Sequence, residues 1–352
     1  MLRSAEEPRG FERPYPPGWF DRLSDWIDRM PGPNSAYYLG LGAVQLAYVT
    51  GVLWLNGKLP VGSVDLSHTF MVIVAPYFLW LRSYLDRVAG AAMDAFRPAL
   101  AVSDAEFLAL RYQLTTLPAR TTRIVTAVAI AVFLANFALL RDSLIEQYAS
   151  SHASALLQLG PVLVLVFAVT AVSVFQAIHQ LRMVERIYGL VGKISLFRSK
   201  PLYAFSGLAA RTGVGFLLAM YYVAAVRPDL AFGSTALRAL LIAMVPIAIA
   251  SFVLPLRGIH LRIAAEKSRA LAEATSRFEA LIVRLHERVD KEILVDADKL
   301  NMQITSLVAE REALSRLSTW PWDTATLTGF ISALVVPVLL WVITHALDRM
   351  AL

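Results

Sequence analysis

The chain has 352 residues, of which 57% are apolar and 17% charged, with a net charge of +6 and no cysteine. A soluble domain is nearer roughly 45–50% apolar and 25% charged, so an ordinary water-borne fold is excluded. Lack of cysteine excludes disulfides, thiolate metal sites and thiol nucleophiles.

The apolar residues lie in long charge-free runs, separated by segments that hold nearly all the Lys, Arg, Asp and Glu. That segregation marks a chain whose solvent is lipid. Backbone facing lipid must pair its own N–H and C=O groups. No run alternates with period two, so each run predicts a helix and the fold class is all-α and polytopic. No cleaved leader is expected, because the first thirty residues mix acidic and basic groups without an apolar core.

In chain order, Trp19 to Met30 comes first. Trp19, Leu23, Trp26, Ile27 and Met30 share one helical face, and Asp21, Arg22, Asp25 and Arg29 take the other. Pro16-Pro17 precedes this helix and Pro31-Gly32-Pro33 ends it. The Trp pair predicts an interfacial helix lying on a membrane leaflet; packing on the protein's own polar segments is the alternative. The first apolar run is Ala36 to Gly57. The second is Leu66 to Leu81, with Arg82 expected to snorkel at its end. Ser103-Asp-Ala-Glu106 fits a capping box that opens a helix to Leu117, stopped by Pro118. The third run is Ile124 to Leu140. The fourth, Leu156 to Gln180, carries a polar stripe of Thr170, Ser173, Gln176 and Gln180. The fifth is Ser206 to Val226, with Arg211 expected to snorkel. The sixth is Ala239 to Leu256. Runs near 17–25 residues match a bilayer's thickness.

Arg257 to Trp320 is charged and helical in pattern, with acid-first pairs such as Glu273–Arg277 and Glu312–Arg316 at i,i+4. A straight helix of that length would end about 90 Å from its start. The chain must return to a seventh run at Thr324 to Leu347, so a helical hairpin turning near Leu294–Asp298 is expected. Trp320-Pro321-Trp322 reads as an elbow at the membrane surface, with Trp19 and Trp26 the matching interface residues. Four parts follow: an amino-terminal segment (1–35), a six-helix bundle (36–256), the hairpin (257–322), and the seventh span with its tail (323–352).

Lys and Arg set the orientation. Segments on the side of the amino terminus hold 27 of them and the opposite side 5, with Arg211 inside a run. The amino end is expected in the cytosol and the carboxyl end outside. The positive charge is then mostly topology, and nucleic acid is not an expected partner; the lipid bilayer is.

A search for chemistry returns no catalytic group, no metal-ligand spacing and no cofactor motif, so no enzyme activity is expected. His286-Glu287 meets Asp290 where a zinc protease motif needs histidine. Gly213-Val-Gly215 lies in an apolar run and reads as close helix packing. No Asp or Glu falls inside any run, which disfavours proton-coupled transport. Thr324, Thr328 and Ser332 form a stripe on the seventh run whose face turns apolar at Val335, Val336 and Leu339. Such a face suits a pore narrowing to a hydrophobic constriction; a helix–helix contact is the alternative.

Two segments carry a resemblance. Leu110-Arg-Tyr-Gln-Leu-Thr-Thr-Leu-Pro-Ala-Arg120 and Ser318-Thr-Trp-Pro-Trp-Asp323 resemble tags in bacterial multi-pass membrane proteins of unassigned function, which implies the bacterial inner membrane. In layout alone the chain resembles the seven-helix ion-channel superfamily that includes insect chemoreceptors. That resemblance implies a homo-oligomer, a tetramer first, with the seventh helix lining a pore. The Tyr and Gln-Phe signature of that family's seventh helix has no counterpart here.

Overall fold

The computed structural model describes residues 12–65, 69–148, 152–192, 196, 200–228, 235–290 and 297–350. Among them the chain is helical without strands; isolated bridges join Pro17 to Pro118 and Leu100 to Val191. The α-helices are α1 (Trp19–Arg29), α2 (Asn34–Leu55), α3 (Thr69–Phe96), α4 (Asp104–Thr115) and α5 (Ala119–Tyr148). They continue with α6 (His152–Gly189), α7 (Ser206–Val226), α8 (Thr235–Asp290), α9 (Ala297–Arg316) and α10 (Thr324–Met350).

Among the described residues, four helical stretches are long and apolar enough to cross a membrane: Asn34–Leu55, Leu159–Gly189, Pro201–Val226 and Leu241–Asp290. Thr324–Leu339 is apolar but shorter. The second run lies in α3 from Thr69 onward, residues 66–68 being outside the described residues, and the third lies in α5.

The core runs through α3, α6, α7 and α8, where Leu79, Met93, Val172, Leu208 and Phe252 are buried. A second cluster of Val49, Val52, Val72, Leu159 and Val162 joins α2, α3 and α6. Gly213 and Gly215 are placed by close approach. A Cβ on Gly213 would lie 3.1 Å from the Ala248 carbonyl oxygen, and one on Gly215 would lie 2.6 Å from Leu81 Cδ1. A side chain at either position would push these neighbours aside, as expected of small residues between apolar helices.

Several boundaries differ from expectation for physical reasons. α3 does not stop near Leu81. It continues to Phe96 because Arg82 and Asp86 pair at i,i+4 and because Ala89, Met93 and Phe96 extend its buried face. α4 opens on the expected capping box, with Glu106 N donating to Ser103 Oγ and Ser103 N to Glu106 Oε2. These bonds hold the Glu106 carboxyl below its ordinary value. The helix ends at Thr115, because Pro118 disfavours helical backbone at the residue before it and Thr116 is already extended.

α8 is one helix of 56 residues, about 84 Å long at 1.5 Å per residue. α9 packs along its second half. Lys267 Nζ donates to the carbonyls of Ser315 and Leu317, both at 2.7 Å. The expected turn near Leu294–Asp298 lies largely outside the described residues. α10 packs on α7 and α8, with Phe330 stacked on Phe252 at 4.5 Å between centroids.

Candidate functional site

Arg82 and Asp86 stand one turn apart on α3 and are 3% and 2% exposed. Arg82 does not snorkel. α1 crosses the end of the bundle there and presents Asp21, which pairs with Arg82 through Oδ1 and Nη2. Arg82 Nε lies 3.3 Å from Asp86 Oδ2, and its guanidinium carbon sits 4.5 Å above the ring of Phe20. A guanidinium can serve several acceptors at once because its donors form a rigid fork.

α6 closes the cluster. Ser173, Gln176 and Gln180 follow the spacing i, i+3, i+7, so one face of the helix carries all three. Gln180 Nε2 donates to Asp86 Oδ1 at 2.7 Å and Gln176 Nε2 to the same oxygen at 3.5 Å. Both glutamines are at most 2% exposed. Thr170, the fourth member of the stripe, is half-buried one turn away. A cavity of about 10 Å³ lies between Leu81, Arg82, Ser173, Gln176, Gln180 and Phe216.

The amino-terminal segment and the second part of the first tag, Leu114–Arg120, together seat Asp21. Leu117 N donates to Asp21 Oδ2 at 3.3 Å, Gly18 N to Leu117 O at 3.2 Å, and Ala119 N to Pro16 O at 3.1 Å. Tyr15 donates its hydroxyl to Thr116 O at 2.7 Å. Burial pushes the Tyr15 phenol above its ordinary value, with Tyr112 and the Asp21 charge adding to it. A Cβ on Gly18 would lie 2.3 Å from Thr122 Oγ1, so glycine permits this approach. The tag is a strap for the chain's start.

The face of α1 is therefore rotated from the expected one. Phe20, Asp21, Ser24 and Ile27 are buried, and Trp26 is 56% exposed. Trp19 is half-buried and donates Nε1 to Thr126 Oγ1 of α5 at 2.9 Å. The charge of Asp21 suggested solvent, but Arg82 supplies a buried counter-ion that only tertiary contact provides. Two signals pointed this way in the sequence: Phe20 belongs to an i, i+4, i+7 set with Ser24 and Ile27, and Arg82–Asp86 is an i,i+4 pair.

The second tag builds a column of aromatic rings. His260 lies 3.9 Å from Trp320 at 10°, Trp320 lies 4.4 Å from Trp322 at 12°, and Trp322 lies 5.1 Å from Phe252 at 22°. Phe330 of α10 ends the column. Trp320 and Trp322 are half-buried and stack on each other. His260 Nδ1 donates to Thr319 O at 3.1 Å. Asp323 then caps α10, accepting from Thr326 N at 2.6 Å. That bond, with help from the Arg211 charge, holds its carboxyl below the ordinary value. Arg211 itself is exposed, as expected.

The six residues of the α10 stripe stay together on one surface. Thr324, Thr328, Ser332, Val335, Val336 and Leu339 are all exposed, Leu339 by 53%. The two polar stripes thus have opposite settings: that of α6 faces the core and that of α10 faces outward. The chain matches no family model, and no curated protein or solved structure matches it either.

Proposed function

We propose that the chain is one subunit of a homo-oligomeric ion channel or channel-like receptor of the bacterial inner membrane. In this reading it crosses the bilayer seven times, through α2, α3, α5, α6, α7, the first part of α8, and α10. The amino terminus lies in the cytosol and the carboxyl terminus outside. The second half of α8 and α9 form the cytosolic hairpin, and a tetramer is the first stoichiometry to test.

The observation that carries the reading is the exposed face of α10. Thr324, Thr328 and Ser332 are exposed on a largely apolar helix, and Val335, Val336 and Leu339 continue the same face. Copies meeting at an axis would turn it into a path that is polar at one end and apolar at the other, where a constriction gates by dewetting. Val283, Val289, Met302 and Val308 leave apolar surface exposed on the paired arms, which suits subunit contacts.

The lack of cysteine makes the test clean. Ser332→Cys in full-length protein in lipid should form disulfide-linked dimers on mild oxidation, and a membrane-impermeant thiol reagent should block its current in a planar bilayer. A monomer with no current under any applied voltage would defeat the reading.

A second reading, a non-conducting scaffold or sensor whose hairpin docks a soluble partner, has its own observation. Between α8 and α9 runs an open groove of about 690 Å³, with Arg277, Arg284 and Lys299 around Leu281, Met302 and Leu307. Among the described residues no carboxylate lines it.

A further inference from the structure

The rotation of α1 leaves an outer face of a particular kind. Phe20, Asp21, Ser24 and Ile27 are buried in the bundle. At about 100° per residue, Arg22, Trp26 and Arg29 lie on the opposite side, spaced i, i+4 and i+7. All three are exposed. Trp19, Leu23 and Met30 occupy the edge next to Trp26 and are half-buried. Asp25 borders the arginines on the other edge, and Asp28 beyond it accepts from Asn34 Nδ2. Passing round the outside of the helix, the chemistry runs from apolar side chains through an indole to two guanidinium groups and then a carboxylate. Polarity changes in that order across the boundary between hydrocarbon and headgroups.

α5 supplies a second, independent observation. Arg120 and Arg123 open it and are both exposed. Ile124, Ala127, Val128 and Ala131 continue the exposed face at helical spacing. The stripe thus turns from arginine to purely apolar within one turn. Trp19 Nε1 donates to Thr126 Oγ1, one turn past Arg123, which brings α1 to the level of that change. The ion pairs of arginine among the described residues engage Arg82, Arg97, Arg111, Arg277 and Arg316, and none of the four arginines named here.

We propose that Arg22 and Arg29 of α1, with Trp26 between them, and Arg120 and Arg123 of α5 form a binding surface for the headgroups of anionic phospholipids. The surface rests on the seven-span reading above, in which α5 crosses the bilayer. Guanidinium groups match phosphate oxygens in pairs. A zwitterionic headgroup brings its own cation beside the phosphate, so a set of arginines favours lipids of net negative charge. A soluble acidic partner would meet the arginines and leave the apolar stripe that continues from them uncovered. Anionic lipid then holds α1 in its seat, where Asp21 closes the Arg82 cluster.

Electron spin resonance on the full-length protein in phosphatidylcholine vesicles tests this, with a trace of spin-labelled phosphatidylglycerol or spin-labelled phosphatidylcholine as the probe. The wild type should restrict the motion of phosphatidylglycerol in preference to phosphatidylcholine by about fivefold, the contribution of one arginine near an anionic surface. High salt should weaken that preference. It should fall toward one in Arg22→Gln/Arg29→Gln and in Arg120→Gln/Arg123→Gln. It should persist in Arg288→Gln/Arg311→Gln, which changes two exposed arginines of the α8–α9 hairpin. Equal restriction of the two lipids by the wild type overturns the proposal and leaves the spanning reading standing. A preference that survives both of the first two double variants overturns it as well. No restricted component with either lipid overturns the spanning reading, and the proposal with it.

Discussion

Two stripes of polar side chains on apolar helices end in opposite places. Ser173, Gln176 and Gln180 on α6 point into a buried ionic cluster that ties together α1, α3 and the strap before α5. Thr324, Thr328 and Ser332 on α10 are exposed on its surface. The first region is completed within one polypeptide: its charges find partners on segments far apart in sequence. The second leaves its polar face to lipid, to solvent or to another copy. A buried ion pair is costly to desolvate and is kept only where its geometry is well satisfied, so the closed region should be intolerant of change and the open one tolerant.

Arg82→Ala should break that comparison most severely. It strands two carboxylates in the core, and removing one partner of a buried pair costs about 3–5 kcal/mol. Thermal unfolding in detergent should show a large drop, with α1 released first and Trp19 fluorescence shifting to the red.

Asp323→Ala should have an intermediate effect. It deletes the acceptor for Thr326 N at the start of α10, at a cost of about 1 kcal/mol for a lost N-cap. The folded-state value of the Asp323 carboxyl is depressed, so the cap's benefit is present where the group is ionised. It fades as pH falls through the folded-state value. Asp323→Asn should keep the cap and lose that acid sensitivity, measured by unfolding at a series of pH values.

Alanine at Thr324, Thr328 and Ser332 should do least to the fold. Exposed substitutions of this kind stay within about 0.5 kcal/mol. In the channel reading the same changes alter conductance or ion preference in bilayer recordings. A large loss of stability would instead mean that the stripe is a helix–helix contact.

How far this was legible varied with the range of the interactions. Helices and their caps depend on neighbours three or four residues apart. The Ser103 capping box, the close packing at Gly213 and Gly215, and the helix break at Trp320-Pro321-Trp322 could therefore be read directly. The cluster could not. Asp21 and Arg82 are 61 positions apart, and each looks like a surface charge until the other is brought to it. Asp86 was set outside the second apolar run because a hydropathy window stops at the first charge. α3 crosses that boundary since its charges pair along the same face. The aromatic column was visible only as separate Trp, His and Phe residues on segments that the return of α9 brings together.

By itself, then, the sequence determined an all-helical chain with several helices apolar enough for lipid, because hydrophobic segregation and helix signals are local properties of the polypeptide. Tertiary structure alone decided which polar groups are enclosed. It rotated α1 to bury Asp21 and turned the α6 stripe inward. It also left the α10 face uncovered. The reason is that the cost of a charge or hydroxyl depends on the partner that reaches it across the fold, and no window along the chain contains that partner.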